Sequence, residues 1–214
     1  SQDRVRWTER TPHGARWIES PLDLRESLSA YRRGQDRAWI FTSATLGDEP
    51  TLKWFCGAAG LDDARTLQVG SPFDYERQCQ LWVPRSVPLP QDARHPAAVG
   101  ALAARCAAVL RGRTFVLTTT LRALEPVARA LEAGLREAGA PMEVLVQGRE
   151  PRRTLLQRYG DGQGRVLVGS HTFWEGIDMP GEAPQCVVID KLPFPPPGDP
   201  LVEARGARCE ASGR

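Results

Sequence analysis

From about residue 97 onward the chain alternates helical segments with short, continuous apolar runs, and this alternation limits its fold more than any other feature. The apolar runs are Thr114 to Leu117, Glu143 to Val146, Arg165 to Val168 and Cys186 to Ile189. The helical segments are an Ala-rich stretch at 97–111, Leu121 to Ala138, and Pro151 to Tyr159. Strands buried on both faces of a parallel sheet show unbroken apolar runs, whereas half-exposed strands alternate. Strand–helix alternation of this kind predicts an open α/β sheet with helices on both faces.

The first part of the chain reads differently. Two short strands, Val5 to Trp7 and Ala15 to Ile18, are predicted around a Pro12-His13-Gly14 turn. A helix from Leu22 to Arg33, a strand from Ala38 to Phe41 and a helix from Pro50 to Ala59 follow. Two strands are expected between Arg65 and Val83, split by Gly70 to Tyr75, before a Pro-rich link from Pro84 to Pro96. Trp7, Trp17 and Trp39 are expected to knit the start of the chain into a short N-terminal appendage. Near the end, Asp199-Pro200 reads as the cap and first turn of a last helix.

A chain of 214 residues is long enough for one buried domain and part of a second. Its 41% hydrophobic and 25% charged residues are ordinary for a soluble globular protein. No stretch approaches the roughly 20 apolar residues of a membrane span, and SQDRVRWTER has no secretory h-region. No membrane partner is expected. A net charge of +2 does not by itself argue for a polyanion. The cations are Arg apart from Lys53 and Lys191, which suits forked phosphate contacts and equally reflects an Arg-, Ala-, Gly- and Pro-biased genome. Five cysteines, odd in number and without a CxxC pair, indicate neither a zinc site nor a disulfide framework. Cys106 and Cys186 read as small core residues, and a reducing, cytoplasmic setting is the default expectation.

In open α/β sheets ligands bind beyond the carboxyl ends of the strands. Four strand ends here are unusually polar. Thr42-Ser43-Ala44-Thr45 follows Phe41, Thr118-Thr119-Thr120 follows Leu117, Gln147-Gly148 follows Val146, and Gly169-Ser170-His171-Thr172 follows Val168. Hydroxyls and backbone N–H groups in such places are suitable phosphate ligands. Singly, each is as readily a turn or a helix cap.

The same residues carry a family resemblance. FTSATL, LTTT, VLVGSHTFWEGIDMPG and VVIDKLPFPPPGDP resemble successive blocks of the DinG/XPD-type DNA helicases of superfamily two, and SPFDYERQ resembles a segment early in their second motor domain. The similarity extends over nearly all of residues 38 to 205. It implies two RecA-like domains with ATP between them and single-stranded DNA across their top. On this resemblance residues 1–46 are the terminal segment of the first motor domain. Residues 47–214 are then most of the second, ending before its final motif. Thr42, Ser43, Ala44 and Thr45 then couple nucleotide state to DNA grip. Thr118, Thr119 and Thr120 match a phosphate-gripping motif, with Gln147 at the neighbouring strand end. Ser170, His171 and Thr172 match the DNA-facing half of the next motif, and Glu175, Gly176 and Asp178 its nucleotide-facing half. Glu175 and Asp178 are the catalytic candidates, while Gly176 and Asp178 are the nucleotide-binding ones. His171 and Thr172 depart from the small-residue and Ser pattern of the family.

Plainer readings stand beside these. Phe173-Trp174 is a pair of core aromatics or a base-stacking pair. Glu175 and Asp178 solvate a loop or pair with the opposite motor domain. Pro193 to Pro197 is a rigid connector or a polyproline segment for a partner. His171 lacks a partner in sequence, so no metal role is expected. The sequence contains no GxxxxGK[ST] loop, no DExH-type box and no QxxGRxxR-type block. The resemblance therefore implies ATP and Mg2+ bound mainly by a first domain outside this chain, which is also the chain's expected partner alongside single-stranded DNA. Some relatives hold an iron–sulfur cluster on four cysteines of that domain, and the cysteines here lack that spacing. By itself the chain is expected to hydrolyse nothing. Two rivals remain: an RNA-remodelling motor domain, and a non-catalytic α/β nucleic-acid-binding module.

Overall fold

In the computed structural model, which describes residues 4–161, 163–170, 173, 184–195 and 198–211, the chain begins with an antiparallel hairpin. Its strands are β1 (Arg4–Thr11) and β2 (Gly14–Pro21), with Trp7 opposite Ile18 and Thr8 opposite Trp17. Along β1 exposed and half-buried residues alternate, as the period-2 pattern requires. The helices α1 (Arg25–Arg32), α2 (Lys53–Ala59) and the single turn α3 (Tyr75–Gln78) follow.

Three expectations for this region fail. Ala38 to Phe41 is not a strand, because it joins no ladder among the described residues. Trp39 instead meets Tyr31 edge-on at 5.5 Å and stacks with Phe41, which in turn meets Phe55 of α2 at 5.8 Å. Residues 65–83 likewise form no strands. The segment is extended around α3, whose first turn is capped by the Asp74 carboxylate on the Arg77 N–H, and Leu67, Val69, Leu81 and Val83 stand exposed. An apolar, β-branched run supplies a surface for a sheet but not the neighbouring strand that would satisfy its backbone. Nor do three tryptophans bind the start together, since Trp17 is 83% exposed.

The rest follows the predicted alternation. It runs α4 (His95–Leu110), β3 (Thr114–Thr118), α5 (Leu121–Glu137), β4 (Glu143–Val146), α6 (Arg152–Gly160), β5 (Arg165–Ser170), β6 (Cys186–Ile189) and α7 (Pro200–Ala211). The four strands form one parallel sheet in the order β4-β5-β3-β6. Passing from β3 to β4 the chain moves one way across the sheet, and from β4 to β5 it moves back. With right-handed crossovers such a reversal places the two connecting helices on opposite faces, and so they lie. Val116, Val146, Val166 and Val168 pack against α4 and α5, whereas Phe115, Leu117, Leu145 and Leu167 pack against Leu155 and Tyr159 of α6. Both core clusters come entirely from residues 99–173.

The chain divides into two compact units, Ser1–Leu81 with Pro195–Arg214, and Trp82–Phe194. In the first, α7 packs on β1 and starts as predicted: the Asp199 carboxylate accepts the N–H groups of Leu201 and Val202 at 2.9 and 3.0 Å. Among the described residues no helix is long and apolar enough to cross a membrane.

One core residue is poorly matched to its surroundings. Tyr159 is 1% exposed, its hydroxyl has no hydrogen-bond partner, and burial pushes its ionisation well above the usual phenol range. Tyr159→Phe keeps the ring against Phe115 and removes an unsatisfied polar group. It should stabilise the chain by about 1 kcal/mol, read as a rise in Tm of roughly 2–4 °C. A lower Tm would mean that the hydroxyl is satisfied after all.

Candidate nucleic-acid interface

Because the four strands are parallel, their carboxyl ends share one edge, and Thr118, Thr119, Thr120, Gln147 and Ser170 meet there. They are not equivalent. Thr118 is fully buried, and its hydroxyl donates to the Thr120 carbonyl at 3.0 Å, folding the strand end into a turn. The Thr119 hydroxyl is shielded and has no partner. Thr120 is exposed at the start of α5 and makes no side-chain cap bond. At the neighbouring strand ends the Gln147 Oε1 accepts the Ser170 N–H at 2.6 Å, while the Gln147 N–H donates to the Val168 carbonyl at 2.9 Å. Gln147 therefore ties β4 to β5, and Ser170 is 3% exposed behind it.

Two residues outside the sequence-based candidates complete this edge. Asp190, just past β6, is 9% exposed, and its Oδ1 accepts the Thr119 N–H at 3.0 Å and the Lys191 N–H at 2.8 Å. Burial pushes its carboxyl above the ordinary range, opposed by those two N–H groups and by the nearby Lys191 and His95. His95, 5% exposed at the start of α4, sits between two carbonyl oxygens: Nδ1 lies 2.7 Å from Pro88 O and Nε2 lies 3.1 Å from Asp190 O. The available signal was positional. Asp190 is a carboxylate at a strand end on the ligand edge, although nothing local shows that it reaches Thr119.

Beyond β5, Phe173 is a core residue, 2% exposed and edge-on to Phe115 at 6.3 Å, with the Arg152 guanidinium 5.4 Å from its ring centre. Of the two readings of the aromatic pair, burial is therefore the one that holds for Phe173. Trp174 lies outside the described residues, as do His171, Thr172, Glu175, Gly176 and Asp178. Thr42 to Thr45 belong to the other compact unit and are exposed, with the Thr45 N–H donating to the Ser43 hydroxyl at 3.2 Å. Among the described residues no group of three or more His, Cys, Asp or Glu is placed to hold a metal ion.

A parallel sheet with helices on both faces and a hydroxyl-rich strand-end edge is the architecture of a RecA-like motor domain. Residues 103–214 match the helicase C-terminal domain family, and the chain belongs to it, as a C-terminal part of the DinG/YoaA type. The chain is 33% identical over 210 residues to the ATP-dependent DNA helicase YoaA of Escherichia coli, covering 97% of this chain and 32% of that protein. To the ATP-dependent helicase DinG of Mycobacterium tuberculosis it is 33% identical over 198 residues, 91% of this chain and 29% of that one. To the 3'-5' exonuclease DinG of Bacillus subtilis it is 28% identical over 220 residues, 97% of this chain and 23% of that one. The chain thus spans about a third or less of these curated relatives.

Proposed function

We propose that this chain is the C-terminal motor part of an ATP-dependent DNA helicase that moves 5′ to 3′ along single-stranded DNA, in the cytoplasm, during repair or replication. The observation that carries the reading is the exposed Thr120 at the polar carboxyl-end edge formed by Thr118 to Thr120, Gln147 and Ser170, where phosphate ligands of an open α/β sheet belong. Residues 1–46 act as the end of a first motor domain and 47–214 as most of the second. ATP and Mg2+ are held mainly by that first domain, which this chain needs as its partner. His171 and Thr172 face the DNA, whereas Ser170, expected beside them, is 3% exposed and backs the strand end. Glu175, Gly176 and Asp178 face the nucleotide, and Thr42 to Thr45 couple the two.

The test needs both the chain alone and the whole protein. Alone, the chain should show no DNA-stimulated ATP hydrolysis, and turnover abolished by Asp178→Ala would contradict the split site. In the whole protein, Asp178→Ala should slow DNA-stimulated hydrolysis by about 10-fold or more while leaving nucleotide-free DNA binding nearly intact. Thr172→Ala should do the reverse, removing a neutral hydrogen bond of about 0.5–1.5 kcal/mol. ATPase rates and DNA anisotropy are read at one fixed salt concentration, because phosphate binding is salt-dependent. Equal loss of both functions in both variants sinks the two-sided loop. Stimulation by RNA in place of DNA favours an RNA-remodelling motor, and no stimulation by either favours a binding module.

A further inference from the structure

We infer that Asp190 is a positioning residue for the Thr118–Thr120 loop, fixing the Thr119 backbone so that Thr120 is the hydroxyl left facing outward. The inference rests on the reading of that loop as a nucleic-acid contact. The Asp190 carboxylate takes two backbone N–H groups on one oxygen, Thr119 across the sheet edge and Lys191 beside it. Hydrogen bonds to an ionised acceptor are the stronger kind, so the Thr119 N–H is committed to the protein and closed to a phosphate. A negative charge at that point also disfavours a phosphate approaching Thr119 directly. The Thr118 hydroxyl is already turned onto the Thr120 carbonyl, and the Thr119 hydroxyl is shielded. Thr120 alone of the three is exposed.

Asp190 is itself held in place. The buried His95 ring lies within hydrogen-bond distance of the Asp190 carbonyl and of that of Pro88, so the end of β6, the Pro-rich link and the first turn of α4 meet at one point. The loop that would grip DNA is thus set by residues that touch no DNA. Asp190 acts through Thr119, and His95 acts through Asp190.

The experiment compares Asp190→Ala and Asp190→Asn with the wild type in the 214-residue chain and in the whole protein. Amide hydrogen exchange is followed at Thr119, and anisotropy of a labelled oligothymidylate reports binding. Asp190→Ala should speed exchange at Thr119 by about 10-fold or more, as for loss of a bond to a charged acceptor, and weaken binding several-fold. Asp190→Asn keeps an acceptor oxygen and should restore both. Because burial opposes the Asp190 charge, the Asn chain should melt no lower than wild type, separating positioning from general loss of fold. Should the Ala chain not fold, Asp190→Ser replaces it, since its hydroxyl is too short to reach Thr119. Unchanged Thr119 exchange in the Ala or Ser chain overturns the inference, and so does lost protection with unaltered DNA affinity. A wild type that binds no oligothymidylate despite a well-protected Thr119 overturns the nucleic-acid reading itself, and the inference with it.

Discussion

Replacing Phe173 by Ala is expected to cost about 3–5 kcal/mol, the usual loss for a large aromatic removed from a core, and to lower Tm by roughly 6–20 °C. Phe173 fills the space between β3, β5 and α6 beside Phe115, Tyr159 and Leu167. Its fit also depends on Gly169, where a Cβ would lie 2.9 Å from the Phe173 ring. The strand end that carries Ser170 and the Phe173 ring are therefore packed as one unit. Phe173→Leu retains much of the apolar volume and should lose clearly less. Thermal melts of both chains check the prediction. Equal, small losses would mean that Phe173 is not seated in the core, and would reopen a stacking role.

Gly100→Val should destabilise the chain by about 3 kcal/mol, at the upper end of ordinary overpacking. The two long helices α4 and α5 approach so closely that a Cβ at Gly100 would lie 2.5 Å from the Val127 carbonyl oxygen and 2.9 Å from the Leu131 nitrogen. Backbone cannot move aside as a flexible side chain can, so the helices must separate. Ala103, Ala104 and Ala107 line the same seam, and a Cβ at Gly134 would lie 2.8 Å from that of Ala104. Gly100→Ala makes the sharper comparison. Helix propensity alone would favour Ala by about 1 kcal/mol, so a higher Tm for the Ala chain would show that the helices are not this close. A lower Tm, with a larger drop for Val, is the expected outcome.

Local pattern in the sequence was enough to determine the four strands β3 to β6 and the helices between them, because an unbroken apolar run and a core-facing helix each leave a trace within a few residues. The run of β6 is nevertheless not buried on both faces: Val187 and Ile189 stand exposed. The DinG-type blocks and the polar strand ends were legible for the same reason: each is contiguous. Once the strands were known to be parallel, Thr118 to Thr120, Gln147 and Ser170 had to share an edge. Trp39 to Phe41 and residues 65–83 carry the same local trace without becoming strands, since a ladder needs a partner that the run itself does not specify. What a polar side chain at a strand end bonds to was likewise decided only by the tertiary structure. Gln147 looked like a free phosphate ligand but spends its oxygen on Ser170. Asp190 was not among the candidates, yet it reaches Thr119, 71 residues away in the chain. The closeness of α4 and α5 at Gly100 belongs to the same class. Hydrogen bonds and close packing between distant segments depend on strand order and helix spacing, and those arise from burying both faces of the sheet at once rather than from any short stretch of residues.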